Sequence, residues 1–79
     1  MQIKYSKQAE KFLGNRDEIT FFRIKAAIHK LPDGDVIKMK GYSVPTYRLT
    51  IGKIRVLFTR DGNNIAVIKI DNRGQVYKK

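Results

Sequence analysis

The sequence predicts an α+β domain: an N-terminal strand and a two-helix hairpin packed on one face of a twisted, mainly antiparallel sheet of roughly four or five strands. Three observations carry this reading. Two stretches in the first half repeat apolar residues at spacings of three and four, the period of amphipathic helices. The stretch Thr46–Arg60, TYRLTIGKIRVLFTR, alternates in character on both sides of Gly52-Lys53, as a β-hairpin does. A further strand pattern, Ile65–Asp71, follows the turn-rich Asp61-Gly62-Asn63-Asn64. At 79 residues the chain is expected to form one domain, 1–79, with a modest core.

Taken in order, Met1–Tyr5 alternates apolar and polar residues and suits a short first strand. Ser6 is a good N-cap. Ala9, Phe12 and Leu13 then fall on one face of a short helix, with Gly14-Asn15 expected to end it. Asp17 can cap a second helix, whose stripe is Phe21, Ile24, Ala27, Ile28 and Leu31. Pro32 stops it soon after Leu31. Both helices are short and need an apolar surface to cover. Asp33-Gly34-Asp35 reads as a turn, and Val36–Tyr42 as a weakly patterned connection.

The hairpin is the most strongly specified element. With Gly52-Lys53 as a two-residue turn, Gly52 takes positive φ at the first central position. Ile51 then lies opposite Ile54, Leu49 opposite Val56, and Tyr47 opposite Phe58. One face is wholly apolar or aromatic, and the other receives Arg48, Thr50, Arg55 and Leu57. A one-residue slip would scramble this sorting, so the pattern argues for the register.

Ile65–Asp71 leaves two registers. A two-residue Asp-Gly loop places Ile65, Val67 and Lys69 on the core face. A three-residue loop with a bulge places Ala66, Ile68 and Ile70 there. The second is preferred because it keeps the Lys69 charge out of the core. It leaves Ile65 and Val67 on the outer face beside Leu57. Gln75–Lys79 is a candidate for a last short strand.

Composition narrows the function. Seventeen Lys+Arg against seven Asp+Glu give a net charge of +10, which attracts polyanions at long range. Nucleic acid ranks first as partner, an acidic protein second, an anionic membrane surface third. The alternative is a basic domain with no polyanion function. The absence of cysteine excludes disulfides and thiolate metal sites and fits a reducing compartment. The first twelve residues lack the apolar core of a signal peptide, and no apolar run is long enough to span a bilayer. A cytoplasmic protein without membrane association is expected.

Conventional catalytic sets are scarce. His29 is the one histidine, and it falls off the apolar stripe of its helix as a solvated residue. No metal-ligand spacing, P-loop or GxGxxG pattern occurs, so neither a metal nor another cofactor is expected. The cationic residues remain. Arg48 and Arg55 share one face, Arg73 follows the last long strand, and Tyr77 comes shortly after. Guanidinium groups bind phosphate bidentately and stabilise charge developing on phosphorus. A tyrosine stacks on a base, and its hydroxyl can move a proton. RNA carries its own nucleophile, the 2′-OH, so a protein that aligns it and stabilises charge needs neither metal nor histidine. Lys38, Lys40, Thr50 and Lys53 are further candidates for phosphate or RNA contact.

At this point the residues resemble a family. YSKQAEKFL, then a helix ending in KLPDGDVIKMKGY, then YRLTIGKIRVLF, then IKIDNRGQVYKK is similar in order and spacing to the RelE/ParE toxin superfamily. The resemblance covers essentially the whole chain. Its most specific parts are YRL-x-x-G-x-x-RV-x-F and the closing RG-x-VYK. It implies the RelE-like fold and a toxin of a type II toxin–antitoxin pair. RelE-like members cut mRNA in the ribosomal A site by 2′-OH attack on the adjacent phosphate, leaving a 2′,3′-cyclic phosphate and a 5′-OH end. By motif position, Arg55, Arg73 and Tyr77 match functional residues of the family, and Arg48 occupies the place of a functional basic residue.

Two departures stand out. Thr50 lies where RelE proper has a second functional lysine, and Asn72 where many relatives carry histidine. The ParE branch, which poisons DNA gyrase without a nuclease site, is the first alternative. A non-enzymatic basic RNA-binding module is the second. The resemblance also implies an acidic antitoxin that wraps the toxin, with operator DNA bound only through their complex. Ile65, Val67 and Leu57, expected on the outer face, would suit such a partner.

Overall fold

Ser6 turns the chain from its first strand into its first helix, and one hydroxyl does this work. In the computed structural model, which describes residues 2–72, β1 spans Gln2–Tyr5 and α1 spans Lys7–Gly14. Ser6 Oγ accepts from the Ala9 N–H at 3.1 Å and donates to the Ile68 carbonyl at 2.6 Å. The cap thereby ties α1 to the sheet as well as starting it. Gly14 is itself the last helical residue and Asn15 is the C-cap, with φ −96°. The expected glycine just past the helix, in a left-handed conformation, is not what ends α1.

Asp17 begins α2 (Glu18–His29), its carboxylate accepting from the Thr20 N–H at 3.2 Å. Hydrogen bonds from the Thr20 side chain and backbone hold the Asp17 carboxyl below its ordinary pKa. Ile24 and Ile28 on α2, with Leu31 just beyond it, are buried together with Ala9 and Leu13 of α1. Phe12, Phe21 and Ala27 are partly buried against them.

The helices cover one face of a five-stranded sheet in the order β1-β5-β4-β3-β2. Its remaining strands are β2 (Val36–Lys38), β3 (Thr46–Ile51), β4 (Ile54–Asp61) and β5 (Asn64–Asn72). β1 runs parallel to β5, and the other neighbours are antiparallel, so the sheet is mixed. The fifth strand comes from Val36–Lys38, inside the stretch expected as a connection. Pairing of Val36 with Leu49 and Ile37 with Arg48 makes it a strand. Gln75–Lys79, the candidate last strand, lies outside the described residues.

The β3–β4 hairpin has the register its pattern dictates: Tyr47 with Phe58, Leu49 with Val56, Ile51 with Ile54. Gly52 has φ +59°, as a two-residue turn opening on glycine requires. The Tyr47 and Phe58 rings stack with centroids 5.6 Å apart.

β5 corrects the preferred reading. Asp61 pairs with Asn64 across a two-residue Gly62-Asn63 turn, so no bulge sits at the turn. Ile65 and Val67 are buried in the core, not exposed on the outer face. The bulge lies mid-strand. Phe58 pairs with Val67 and Leu57 with Lys69, leaving Ile68 as the extra residue. Beyond it Ile70 is buried, while Ile68 and Lys69 are exposed. Both arms of the strand thus supply core residues and Lys69 stays in water, a solution neither simple register offered. Each of these fully buried aliphatic side chains contributes about 1.5–3 kcal/mol of burial free energy.

One edge needs separate treatment. The parallel ladder ends at Tyr5–Val67, because the chain leaves for α1. The Gln8 side chain continues it. Its Nε2 donates to the Ile70 carbonyl at 2.8 Å, and its Oε1 accepts from the Ile70 N–H at 2.9 Å. An amide side chain presents the same donor and acceptor as a peptide, so it stands in for the missing strand.

Candidate functional site

The face of the sheet turned away from the helices collects the outward residues of every strand. Two cross-strand rows matter. The first is Thr50 on β3, Arg55 on β4 and Asp71 on β5. The second is Ile37 on β2, Arg48 on β3, Leu57 on β4 and Lys69 on β5. Arg48 and Arg55 are therefore diagonal neighbours, with Cα atoms about 7–8 Å apart or less. Long side chains at that separation reach a common phosphate. The hairpin turn fixes the alternation, and the alternation fixes the pair.

Arg48 is partly buried. Its Nε is shielded from water and meets no hydrogen-bond partner among the described residues. A donor left in that state costs about 1–3 kcal/mol. Beside Arg55, Asp71 Oδ2 lies 3.7 Å from Lys69 Nζ, with both side chains about half exposed. A pair this exposed is worth about 0–1 kcal/mol and yields readily to a competing anion. On the other side of Arg55, the Thr50 N–H donates to the Asp35 carbonyl at 3.0 Å, which fixes this end of β3 against the residue preceding β2.

The remaining candidates are dispersed. Lys38 pairs with Tyr47, which places it on the helix side of the sheet edge, where Ile37 rather than a lysine adjoins Arg48. Lys40 is exposed in the loop between β2 and β3. Lys53 occupies the hairpin tip, beside a cavity of about 490 Å³ that Arg16, Arg23 and Asn72 also line. Arg73 and Tyr77 lie outside the described residues. His29 is exposed at the end of α2, on the opposite side of the sheet from the arginines.

Asp71 and Lys69 join this face without having been singled out from the sequence. The signal was present in the preferred register of β5, which put Lys69 and Asp71 on the outer face. Among the described residues, no helix is long and apolar enough to cross a membrane.

The architecture and this arginine-bearing face define a RelE-like toxin fold. The chain is similar to the archaeal RelE–RelB complex from Pyrococcus horikoshii OT3, with 25% identity, a TM-score of 0.72, and 94% of this chain and 96% of that chain covered. It is also similar to the RelB–RelE antitoxin–toxin complex from Methanococcus jannaschii, with 23% identity, a TM-score of 0.73, and 94% of each chain covered. A conserved hypothetical protein from Helicobacter pylori shares the fold at 11% identity and a TM-score of 0.64, over 98% of this chain and 99% of that one. No protein-family model and no curated protein sequence matches the chain.

Proposed function

We propose that this chain is the toxin of a type II toxin–antitoxin pair and cuts mRNA in the ribosomal A site. The observation that carries the reading is the placement of Arg48 and Arg55 together on the uncovered face of a RelE-like fold. The two guanidinium groups hold the scissile phosphate. They are worth most when the phosphate acquires its second negative charge, as the 2′-oxygen adds and before the 5′-oxygen leaves. Arg73 adds a third cation, and Tyr77 gives a proton to the departing oxygen. The products are a 2′,3′-cyclic phosphate and a 5′-OH end.

The partner is an acidic antitoxin, complementary to a net charge of +10. With Ile65 and Val67 buried, the exposed apolar residues on or beside the arginine face are Ile37 and Ile68. These replace Ile65 and Val67 beside Leu57 as its docking contacts, and operator DNA is bound only by the assembled complex.

The test is induction of the chain without its neighbour gene, followed by mapping of mRNA 5′ ends. New 5′-OH ends within codons are expected. Arg55→Ala and Arg73→Ala are each expected to lower cleavage by about 10²–10³-fold while leaving the fold intact. Full cleavage and growth arrest in both variants would move the site elsewhere. Intact messages accompanied by gyrase-linked DNA breaks would identify the ParE-type activity instead.

A further inference from the structure

The cleavage reaction needs a group that takes the proton from the 2′-OH, and the arginines do not supply one. Guanidinium stays protonated throughout the physiological range, and the Lys69 ammonium has no lone pair to offer. Thr50 carries a hydroxyl far too weakly basic for the task. Asp71 differs from all of these. It is a carboxylate in the same cross-strand row as Arg55, one strand away, or about 5 Å. It is about half exposed, and among the described residues it pairs with a surface lysine, Lys69.

The other carboxylates are worse placed. Asp61 shares this face but lies six residues from Arg55 along β4, about 20 Å. Asp35 lies beyond Thr50, two strands from Arg55 and about 10 Å away. Glu10, Asp17 and Glu18 belong to the helices or their caps, and Asp33 to the turn after α2.

We propose that Asp71 is the general base of this reaction, an assignment that rests on the nuclease reading above. The Asp71 carboxylate accepts the 2′-OH proton as the bond from the 2′-oxygen to phosphorus forms. The bond from phosphorus to the 5′-oxygen breaks, and that oxygen leaves with the proton from Tyr77. Arg55 sits between Thr50 and Asp71 in its row, so the base and the charge-stabilising cation are held in fixed relation by the sheet. The position that lacks the family's second lysine, Thr50, is on the opposite side of Arg55 from Asp71. The proton acceptor is supplied from β5.

Single-turnover cleavage of mRNA on ribosomes with an empty A site tests this. Asp71→Asn and Asp71→Gly are expected to slow cleavage by about 10²–10⁴-fold. Added formate should restore Asp71→Gly in proportion to its concentration, since it replaces the missing carboxylate. It should not restore Asp71→Asn, whose amide fills the space. Asp35→Asn should cleave as the parent chain does. A merely structural role for Asp71 would not produce the formate dependence. If the parent chain cuts and Asp71→Asn cuts equally fast, or formate leaves Asp71→Gly unchanged, Asp71 is not the base. If Asp35→Asn loses the rate and Asp35→Gly is the variant formate rescues, the base is Asp35. If the parent chain itself leaves the message intact, the nuclease reading falls and this assignment falls with it.

Discussion

Replacing Gln8 with Ala removes one exposed side chain from α1, yet the expected loss is large for a surface position. The Gln8 amide makes the two hydrogen bonds that close the edge of β5 at Ile70, at 2.8 and 2.9 Å. Each contributes about 0.5–1.5 kcal/mol net, and a peptide group left without a partner beside a buried side chain costs somewhat more. Ile70 is fully buried, so water reaches its backbone only from the edge. About 2 kcal/mol is a fair sum for the pair. A two-state domain of this size loses about 4–8 °C of Tm per kcal/mol, so Gln8→Ala should melt about 8–16 °C lower. Thermal unfolding followed by circular dichroism measures it. Gln8→Glu is the informative control. It keeps the acceptor for the Ile70 N–H but turns the donor toward the Ile70 carbonyl into a repulsion, so it should fall between the two. Amide exchange at Ile70 should accelerate in step with the loss. A melting point for Gln8→Ala within about 2 °C of the parent would mean that the edge is satisfied by water and that the clamp contributes nothing.

Three further outcomes follow from the fold. Val67→Asp should abolish folding, because Val67 is buried beside Phe58, whereas Ile68→Asp should stay folded with a change within about 0.5 kcal/mol; the reverse result would restore the register with the bulge at the turn. Gly52→Ala should cost about 1–2 kcal/mol by chemical denaturation, since φ is +59° and a Cβ there would come within 3.3 Å of the Arg23 guanidinium; an unchanged midpoint would show that the turn relaxes freely. Asp17 has a lowered pKa in the folded state, so its contribution is present above the unfolded value near 3.8 and disappears as pH falls through the folded value. Asp17→Asn should therefore melt lower than the parent at neutral pH, with the gap closing in acid; a gap independent of pH would exclude the charge as its cause.

The hairpin and both helix caps were legible because their signals are local. Gly52 sits where a two-residue turn needs it, and the alternation on either side leaves a single register that sorts the residues. Ser6 and Asp17 cap the helices that their spacing announces. β2 was not legible, since three residues carry no period and become a strand only by lying against β3. The mid-strand bulge was hidden for a different reason. Ile65-Ala66-Val67-Ile68 is apolar at every position, so either phase yields a plausible core stripe. Only packing against Phe58 and the helices decides between them. The parallel pairing of β1 with β5 joins the two ends of the chain, and nothing local encodes it. At the site, Arg48 and Arg55 came from the hairpin register alone. The preferred register of β5 already put Lys69 and Asp71 on the outer face; what it misplaced was Ile65, Val67 and Ile68.

Ile68 changes the parity of β5. Before it, the odd-numbered Ile65 and Val67 point to the helices; after it, the even-numbered Ile70 does. Which residues the strand hands to the arginine face is therefore decided upstream of that face. Removing Ile68 would leave Val67, Lys69, Ile70 and Asp71 opposite Phe58, Leu57, Val56 and Arg55 as they are now, in a ladder without the bulge. The bulge thus lets β5 carry one more residue than the length of β4 it faces while still delivering Asp71 to the row of Arg55.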